Sequence, residues 1–372
     1  MKPRAPDLRA LRLVVCLGPG GVGKTTLSAA LAVHGATLGR GVDVMTVDPA
    51  PRLLDALGLD AAGAGPHEVP LDRIKAPRAR AACGAPKTRL RALRLDPKTT
   101  FDSIVARHAP SDAARAAILE NRIYRNLSNA LAGVADYMAM EKLLELSGDP
   151  GTELIVLDTP PASEALDFLD APRRMLELLN SRAISLLGAP AGIFRGRLRV
   201  VDLAARAVLA AFDRITGLNM LADVHSFVQS FDGMYQGFAD RAKAAEALLR
   251  APGTAIVMVT TAEAARVEQA REFVAALERA GLSVAAMVVN RVMEDLPDEG
   301  EIAAAKISPA LKRKLRRNRA DFAALKEREA ISLGALRATL PTGAALMVMP
   351  ELNREPRMIA DLAELGGLLR AV

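Results

Sequence analysis

Short runs of apolar residues recur along the chain and alternate with longer stretches in which apolar residues are spaced three or four apart. The runs cover residues 11–17, 42–47, 154–157, 254–259, 284–289 and 346–349. Each has strand length and lacks polar alternation, so each is predicted to be a strand buried on both faces of a parallel sheet. Strands separated by helices in this order predict a doubly wound, mostly parallel α/β fold with right-handed crossovers.

Two helices between these strands are predicted most clearly. One follows the first strand and covers residues 24–38. The other is expected to begin at Thr260, which would form a capping box with Glu263, and to end near Gly281. The apolar face of this second helix is predicted to consist of Val267, Ala270, Val274 and Leu277.

Residues 163–250 interrupt the alternation of strands and helices. This stretch contains no convincing strand and is rich in Leu, Ala, Phe and Val at helical spacings, which predicts a helical insertion within a single domain spanning residues 1–372. Its amphipathic segments are interpreted as core or dimer packing, and a groove for a hydrophobic client is the alternative.

Composition and charge narrow the class of protein only slightly. Hydrophobic residues make up 51% and charged residues 25%, which is ordinary for a globular protein. Forty-nine basic and 43 acidic residues give a net charge of +6, which suits nucleic acid, acidic lipid or a phosphate ligand equally. Basic runs at residues 73–94 and 312–319 are interpreted as solvated surface, because neither interleaves aromatic side chains as a base-stacking surface does. A nucleic-acid partner is therefore not expected.

No targeting or membrane-spanning segment is predicted. The amino terminus lacks the apolar region and cleavage site of a signal peptide, and the longest uncharged apolar runs are shorter than the roughly 18 residues of a transmembrane helix. The protein is expected to be cytoplasmic.

The clearest chemical motif is Gly18-Pro19-Gly20-Gly21-Val22-Gly23-Lys24-Thr25, which fits G-x-x-x-x-G-K-[ST] and lies between a predicted strand and a predicted helix. Glycines let the backbone curl so that its N–H groups point at phosphate oxygens, at the positive end of the helix. Lys24 is expected to neutralise the β- and γ-phosphates, and the Thr25 hydroxyl to bind Mg²⁺. The predicted ATP-binding residues in this loop are Gly20, Gly21, Val22, Gly23, Lys24, Thr25 and Thr26.

A second part of the site, a carboxylate, is predicted directly after the third apolar run. Asp158 directly follows this run and is expected to hold Mg²⁺ through a water molecule, although an Asp in this place could instead cap the next turn. Thr159-Pro160-Pro161 follows as a stiff exit that could position a segment sensing the γ-phosphate.

Taken in order, these motifs resemble the ArsA family of P-loop ATPases, which includes arsenite-pump ATPases and ATPases that target tail-anchored proteins. The resemblance rests on the phosphate loop, on switch I at residues 48–55, on switch II from Asp158 to about Leu169, and on Val288-Val289-Asn290. It implies that Asp55 orients or activates the attacking water, that Asp48 supports the magnesium shell and that Asn290 hydrogen-bonds adenine. Asn290 also has a second interpretation, as a cap at the end of a strand.

The chain departs from the family pattern in the phosphate loop and in both switch segments. Pro19 stands where the family carries a lysine that reaches the partner's nucleotide, and Pro51 replaces a histidine of switch I. Residues 162–164 replace a Gly-His pair of switch II. We therefore expect slow intrinsic turnover. The missing cation would come from Arg52, from Arg173 or Arg174, or from a lysine-bearing paralogue in a heterodimer. The alternative is that Pro19 only stiffens the loop and that the dimer is dispensable.

Soft-metal chemistry is not expected. By the resemblance, zinc or arsenite would need several converging cysteines, and the chain has only Cys16 and Cys83, which are far apart in sequence. The four histidines are scattered without i, i+4 partners. Neither a zinc site nor an arsenite site is predicted.

Three functions remain open at this point. The first is a Mg²⁺-dependent ATPase that couples dimer opening and closing, as a homodimer or a heterodimer, to a hydrophobic protein client or a membrane-protein partner. The second is a nucleotide-sensing client carrier with negligible hydrolysis, against which Asp55 argues. The third is a partition-type ATPase, which the mostly apolar and acidic carboxyl terminus disfavours.

Overall fold

A computed structural model of the chain describes residues 6–59, 65–73, 88–121, 124, 132–160, 162–179, 234–352, 356 and 359–371. The strands are β1 (Leu13–Leu17), β2 (Gly41–Thr46), β3 (His67–Glu68), β4 (Arg89–Arg94), β5 (Leu154–Asp158), β6 (Thr254–Thr261), β7 (Val284–Val292), β8 (Ala345–Pro350) and β9 (Arg370–Ala371). The helices are α1 (Lys24–Thr37), α2 (Arg52–Ala56), α3 (Pro97–His108), α4 (Asp112–Glu120), α5 (Ala132–Ser147), α6 (Ala162–Leu179), α7 (Tyr235–Leu249), α8 (Ala264–Arg279), α9 (Glu299–Ala304), α10 (Pro309–Thr339) and α11 (Ile359–Leu368). A short 3₁₀ helix covers Leu71–Arg73.

Within the described residues these strands form one sheet in the order β3-β4-β2-β5-β1-β6-β7-β8-β9. The pairs β3–β4 and β8–β9 are antiparallel, and the seven strands from β4 to β8 in the sheet are parallel. All six predicted strands are present, and the predicted doubly wound, mostly parallel α/β fold is confirmed. Strand β1 lies between β5 and β6 at the centre of the sheet, so the loop that follows it opens at the carboxyl edge, where ligands bind in such folds.

Burial explains why these apolar runs fold as strands. Every residue of β1, β2 and β5 is buried, and α1 and α11 pack against each other. Leu27, Val33, Val156 and Leu362 belong to the same apolar core.

The predicted start of α8 was wrong. Thr260 and Thr261 continue strand β6, because they pair in parallel register with Val289 and Asn290 of β7. Helix α8 therefore begins at Ala264, after Glu263 as N-cap without a side-chain capping bond. The predicted apolar face is correct, since Val267, Ala270, Val274 and Leu277 are all buried.

The chain divides into two compact units. The first comprises Met1–Arg94, Ser147–Leu166 and Arg250–Val372 and holds the sheet. The second comprises Leu95–Leu146 and Asp167–Leu249, and its described elements are helices. The predicted insertion at residues 163–250 overlaps the second segment of this unit, and residues 180–233 of it lie outside the described residues.

Over the described ranges, none of the helices combines the length and the low charge that crossing a bilayer requires.

Candidate functional site

The loop between β1 and α1 owes its shape to three glycines. Gly18, Gly21 and Gly23 have φ values of 151°, 79° and 93°, which other residues rarely adopt. A Cβ on Gly18 would lie 2.1 Å from the carbonyl oxygen of Val259, and a Cβ on Gly23 would lie 2.4 Å from Nδ2 of Asn290. The curled backbone of the loop therefore packs directly against Val259 of β6 and Asn290 of β7.

Lys24 lies on the inner side of this loop. Its Nζ donates to the carbonyl oxygens of Gly18 at 2.9 Å and Pro19 at 3.0 Å, and the residue is only 8% exposed. Burial lowers the pKa of Lys24, while the nearby carboxylates of Asp158 and Asp48 act in the opposite direction. A buried ammonium held by two carbonyls at a helix N-terminus is a site prepared for an anion.

Asp158 and Thr25 come together at the carboxyl edge, as the sequence predicted. The Thr25 hydroxyl donates to Oδ2 of Asp158 at 2.8 Å, and the Thr46 hydroxyl donates to the same oxygen at 3.0 Å. The parallel register explains the meeting, because Asp158 at the end of β5 pairs with Cys16 of β1 and with Thr46 of β2. Thr46 was missed in the sequence, although its place at the end of a strand was a usable signal.

The environment of Asp158 fits a magnesium site. The residue is 1% exposed, and burial raises the pKa of its carboxyl group although the hydrogen bonds from Thr25 and Thr46 lower it. A hydroxyl and a carboxylate are the oxygen ligands that Mg²⁺ prefers. A divalent cation beside Thr25 would favour the ionised carboxylate that burial alone disfavours.

Switch I is held near Asp158 at one of its ends, because the amide of Asp48 donates to the Thr46 hydroxyl at 3.2 Å. Oδ1 of Asp48 accepts a hydrogen bond from the amide of Ala50 at 2.9 Å, and Oδ2 lies 3.8 Å from Nη1 of Arg52. Asp55 lies on α2, whose Leu53 and Leu54 are buried while Asp55 is exposed. The Asp55 carboxylate has no hydrogen-bond partner within the described parts of the chain, so the structure does not join it to the loop.

A cavity of about 360 Å³ lies beside the loop on the side of β7. The residues lining it include Gly23, Thr26, Val288, Asn290, Met349 and Pro350. Asn290 donates through Nδ2 to the carbonyl of Val22 at 2.8 Å and accepts through Oδ1 from the amide of Arg291 at 2.9 Å. These bonds leave one N–H and one lone pair of the amide group for a ligand. Arg291 has a φ of 59°, the single positive value outside glycine in the described ranges.

The cations proposed to replace the missing lysine lie in different places. Arg52 is exposed, with Nη1 3.8 Å from Asp48, and its charge also acts on Lys24 of the loop. Arg173 and Arg174 pair with carboxylates of their own helix α6. A different cation reaches the loop: Nη2 of Arg266 donates to the carbonyl oxygen of Gly20 at 3.5 Å. Gly20 directly follows Pro19, so Arg266 brings a charge to the place where the family pattern has its lysine. No local motif marks Arg266 in the sequence.

The cysteines and histidines contribute no metal site to the described residues. Cys16 is a buried residue of β1, and burial raises the pKa of its thiol to about 12. Cys83 lies outside the described residues. Across the described ranges, no group of three or more His, Cys, Asp or Glu side chains is placed to hold a metal ion.

Comparison with known proteins identifies the family of the chain. The sequence profile of the ArsA ATPases, described as anion-transporting ATPases, matches residues 11–318. A protein named ATPase GET3 from Malassezia globosa is 24% identical over 293 residues, which cover 78% of this chain and 76% of the relative. A second, named ATPase get3 from Aspergillus terreus, is 30% identical over 165 residues, or 44% of each chain. A third, ATPase GET3 from Podospora anserina, is 28% identical over 196 residues, or 52% of each chain.

The family profile spans the phosphate loop, both switch segments and Asn290. The chain therefore belongs to the ArsA family and is an ATPase.

Proposed function

We propose that the chain hydrolyses Mg²⁺·ATP at the loop between β1 and α1. The observation that carries this proposal is the buried centre in which Lys24 lies on the loop and Thr25 donates to Asp158 at 2.8 Å. The backbone N–H groups of residues 20–26 would hold the phosphates, and Lys24 would bind the β- and γ-phosphates. Mg²⁺ bound by Thr25, and through water by Asp158, would neutralise charge on these phosphates.

The hydrolytic step is assigned to switch I. Asp55 would orient a water molecule for attack on the γ-phosphorus and accept its proton, while the bond to the β-phosphate oxygen breaks and ADP and phosphate form. Asp48, whose charge acts on Lys24, would support the magnesium shell. Asp55 is exposed on α2, so we infer that switch I rearranges to bring it to the phosphates before the reaction, in line with slow intrinsic turnover.

Arg266 is the cation that we assign to the edge of the loop. Its guanidinium already contacts Gly20 within one chain, so charge on the transferring phosphate could be stabilised without a lysine from a partner. Arg266 thus replaces Arg52, Arg173 and Arg174 as the first candidate for the missing cation. A lysine-bearing paralogue remains the alternative.

The adenine base is assigned to the cavity beside β7. Its size of about 360 Å³ suits a base and part of a ribose. Asn290 could pair with the base through its remaining N–H and lone pair, in addition to fixing the carbonyl of Val22.

We further propose that ATP controls opening and closing of a dimer, either of two copies or with a paralogue, and that the second unit binds a hydrophobic protein client. The support is the family and the apolar composition of residues 163–250. Turnover measured across protein concentration tests the dimer: a specific activity that rises with concentration supports it, and a constant activity from a monomer contradicts it.

The test of the nucleotide site is calorimetric titration of Mg²⁺·ATP into Lys24→Ala. Loss of charge-assisted bonds to two phosphates should weaken binding by roughly 10²–10⁴-fold. Lys243→Ala, at an exposed position of α7 in the other unit, is the matched control and should bind as the wild type does. A Lys24→Ala variant with wild-type affinity would refute the proposed site.

A further inference from the structure

The backbone of Arg291 is held in a conformation that costs free energy. Its φ of 59° lies in the left-handed region, and among the described residues it is the only non-glycine one with a positive φ. Its side chain is exposed and forms no ion pair with any residue that the structure describes, so no ion pair explains the conformation. Strained backbone persists where the neighbouring structure imposes it, and it clusters at functional sites.

A β-bulge in β7 imposes this conformation. The pairing of β7 with β8 is regular up to Val289 and resumes at Val292, with one residue fewer on β8 in between. Asn290 and Arg291 therefore share the bulge. The amide of Glu351 donates to the carbonyl of Val292 at 2.8 Å, which fixes the backbone directly beyond it. Bulges next to active sites serve to redirect a side chain.

The side chain that this bulge directs is that of Asn290. The backbone N–H of Arg291 donates to Oδ1 of Asn290 at 2.9 Å, and Nδ2 of Asn290 donates to the carbonyl oxygen of Val22 at 2.8 Å. A backbone N–H can only donate and a carbonyl oxygen can only accept. The amide group of Asn290 therefore satisfies both partners in one orientation alone, with its oxygen toward Arg291 and its nitrogen toward the phosphate loop.

We propose that Arg291 is a positioning residue whose left-handed backbone makes the site select adenine over guanine. The inference rests on the proposed assignment of the base to the cavity beside β7, which Asn290 and Arg291 both line. Held in one orientation, the Asn290 amide offers the base one N–H and one oxygen lone pair. Adenine carries the complementary groups next to each other, an N6 amino donor and the N7 acceptor.

Guanine would be rejected because its O6 and N7 are both acceptors. The oxygen of a fixed amide would face O6 at this edge, and both atoms carry lone pairs. An amide free to turn over could instead pair with O6 and N1–H of guanine. The bond from Arg291 therefore acts on the choice of base, whereas the phosphate loop would hold the phosphates of either nucleotide.

The test is calorimetric titration of Mg²⁺·ATP and Mg²⁺·GTP into the full chain and two variants of Arg291. Arg291→Gly removes the guanidinium but keeps the N–H and readily adopts a positive φ. Arg291→Pro removes the N–H and holds φ near −65°. A bidentate contact distinguishes the right base by roughly 5–150-fold. We expect Arg291→Gly to keep the wild-type preference for ATP, and Arg291→Pro to lose at least about fivefold of it.

A further variant decides the question if Arg291→Pro does not fold. Arg291→Val keeps the N–H, but its β-branched side chain disfavours a positive φ, so it should also lose part of the preference. Circular dichroism and binding of Mg²⁺·tripolyphosphate, which carries no base, verify the fold of each variant. Unchanged preference in folded Arg291→Pro or Arg291→Val would overturn the inference. So would a loss in Arg291→Gly equal to that in Arg291→Pro, which would assign the effect to the guanidinium.

Asn290→Ala separates a failure of this inference from a failure of the proposed function. It removes the amide group and should abolish the preference for ATP over GTP. If it kept the preference, the base would not be bound where we propose, and the inference about Arg291 would fall with that assignment. If Asn290→Ala lost the preference while Arg291→Pro kept it, the base site would stand and the role of Arg291 alone would be refuted.

Discussion

The two halves of the nucleotide site differ in how completely one chain assembles them. The half that would hold the phosphates is buried and internally bonded, with Lys24 on two loop carbonyls and Asp158 receiving two hydroxyl hydrogen bonds. In the half that would activate water, Asp55 is an exposed residue of α2, a helix of five residues. With the roles proposed above, the fold would prepare binding, while hydrolysis would depend on a later arrangement of switch I.

The reason for the difference lies in the elements that carry each half. Lys24, Thr46 and Asp158 stand at the ends of central strands or at the start of α1, where parallel pairing fixes their positions. Asp55 lies on the short helix α2, whose Leu53 and Leu54 are buried while Asp55 itself is exposed. A site with one half preformed and the other completed later can bind ATP before it hydrolyses it.

The largest effect is expected when the fixed half is broken. Gly18→Ala would place a Cβ 2.1 Å from the carbonyl oxygen of Val259 at a φ of 151°, so the loop and β6 would have to move apart. We expect a loss of about 3 kcal/mol in unfolding free energy, measured by urea denaturation. Gly20→Ala is the control, because a Cβ there meets nothing within 4 Å. Equal stability of the two variants would show that the loop is not held as described.

A smaller effect, on kcat, is expected from Arg266, at the boundary between the two halves of the site. Arg266→Gln removes the guanidinium next to Gly20 and should lower kcat by roughly 10–100-fold, because a charge near the transferring phosphate acts mainly in the transition state. Arg271→Gln removes the same charge from the same helix but away from the contact with the loop. This control variant should retain wild-type turnover. Steady-state phosphate release measures both. If the two variants turned over alike, the cation would have to come from another residue or another chain.

The smallest effect, on the free energy of unfolding, is expected at Asp149, far from both halves of the site. Asp149 accepts a hydrogen bond from the amide of Gly151 and pairs with Arg91 at 2.7 Å, and these contacts lower the pKa of its carboxyl group to about 2. A lowered folded-state pKa adds stability above the ordinary value of 3.8, and this stability is lost as the pH falls toward 2.

Asp149→Asn should therefore cost about 1 kcal/mol at pH 7, and its stability should converge with that of the wild type near pH 2. ATP affinity should stay unchanged. Urea denaturation across this pH range checks the first point, and a constant difference between the two proteins down to pH 2 would contradict the ionic origin.

Sequence patterns predicted the fold and the fixed half of the site because both depend on local signals. Apolar runs defined the six strands, and the loop motif with a strand-end carboxylate predicted the meeting of Thr25 and Asp158. The start of α8 was mispredicted because pairing of Thr260 and Thr261 with β7 outweighs a local capping pattern. Arg266 could not be predicted, since its contact with Gly20 joins residues 246 positions apart.

Comparing kcat with ATP affinity in Asp55→Asn tests the central difference between the two halves most directly. The account predicts a kcat lower by roughly 10²–10⁴-fold with an unchanged dissociation constant for Mg²⁺·ATP, because Asp55 would act on the attacking water alone. Asp321→Asn, at an exposed position of α10, serves as the control and should change neither value. An unchanged kcat, or a loss of affinity that matches the loss of kcat, would contradict the division of the site into a preformed binding half and a separate hydrolytic half.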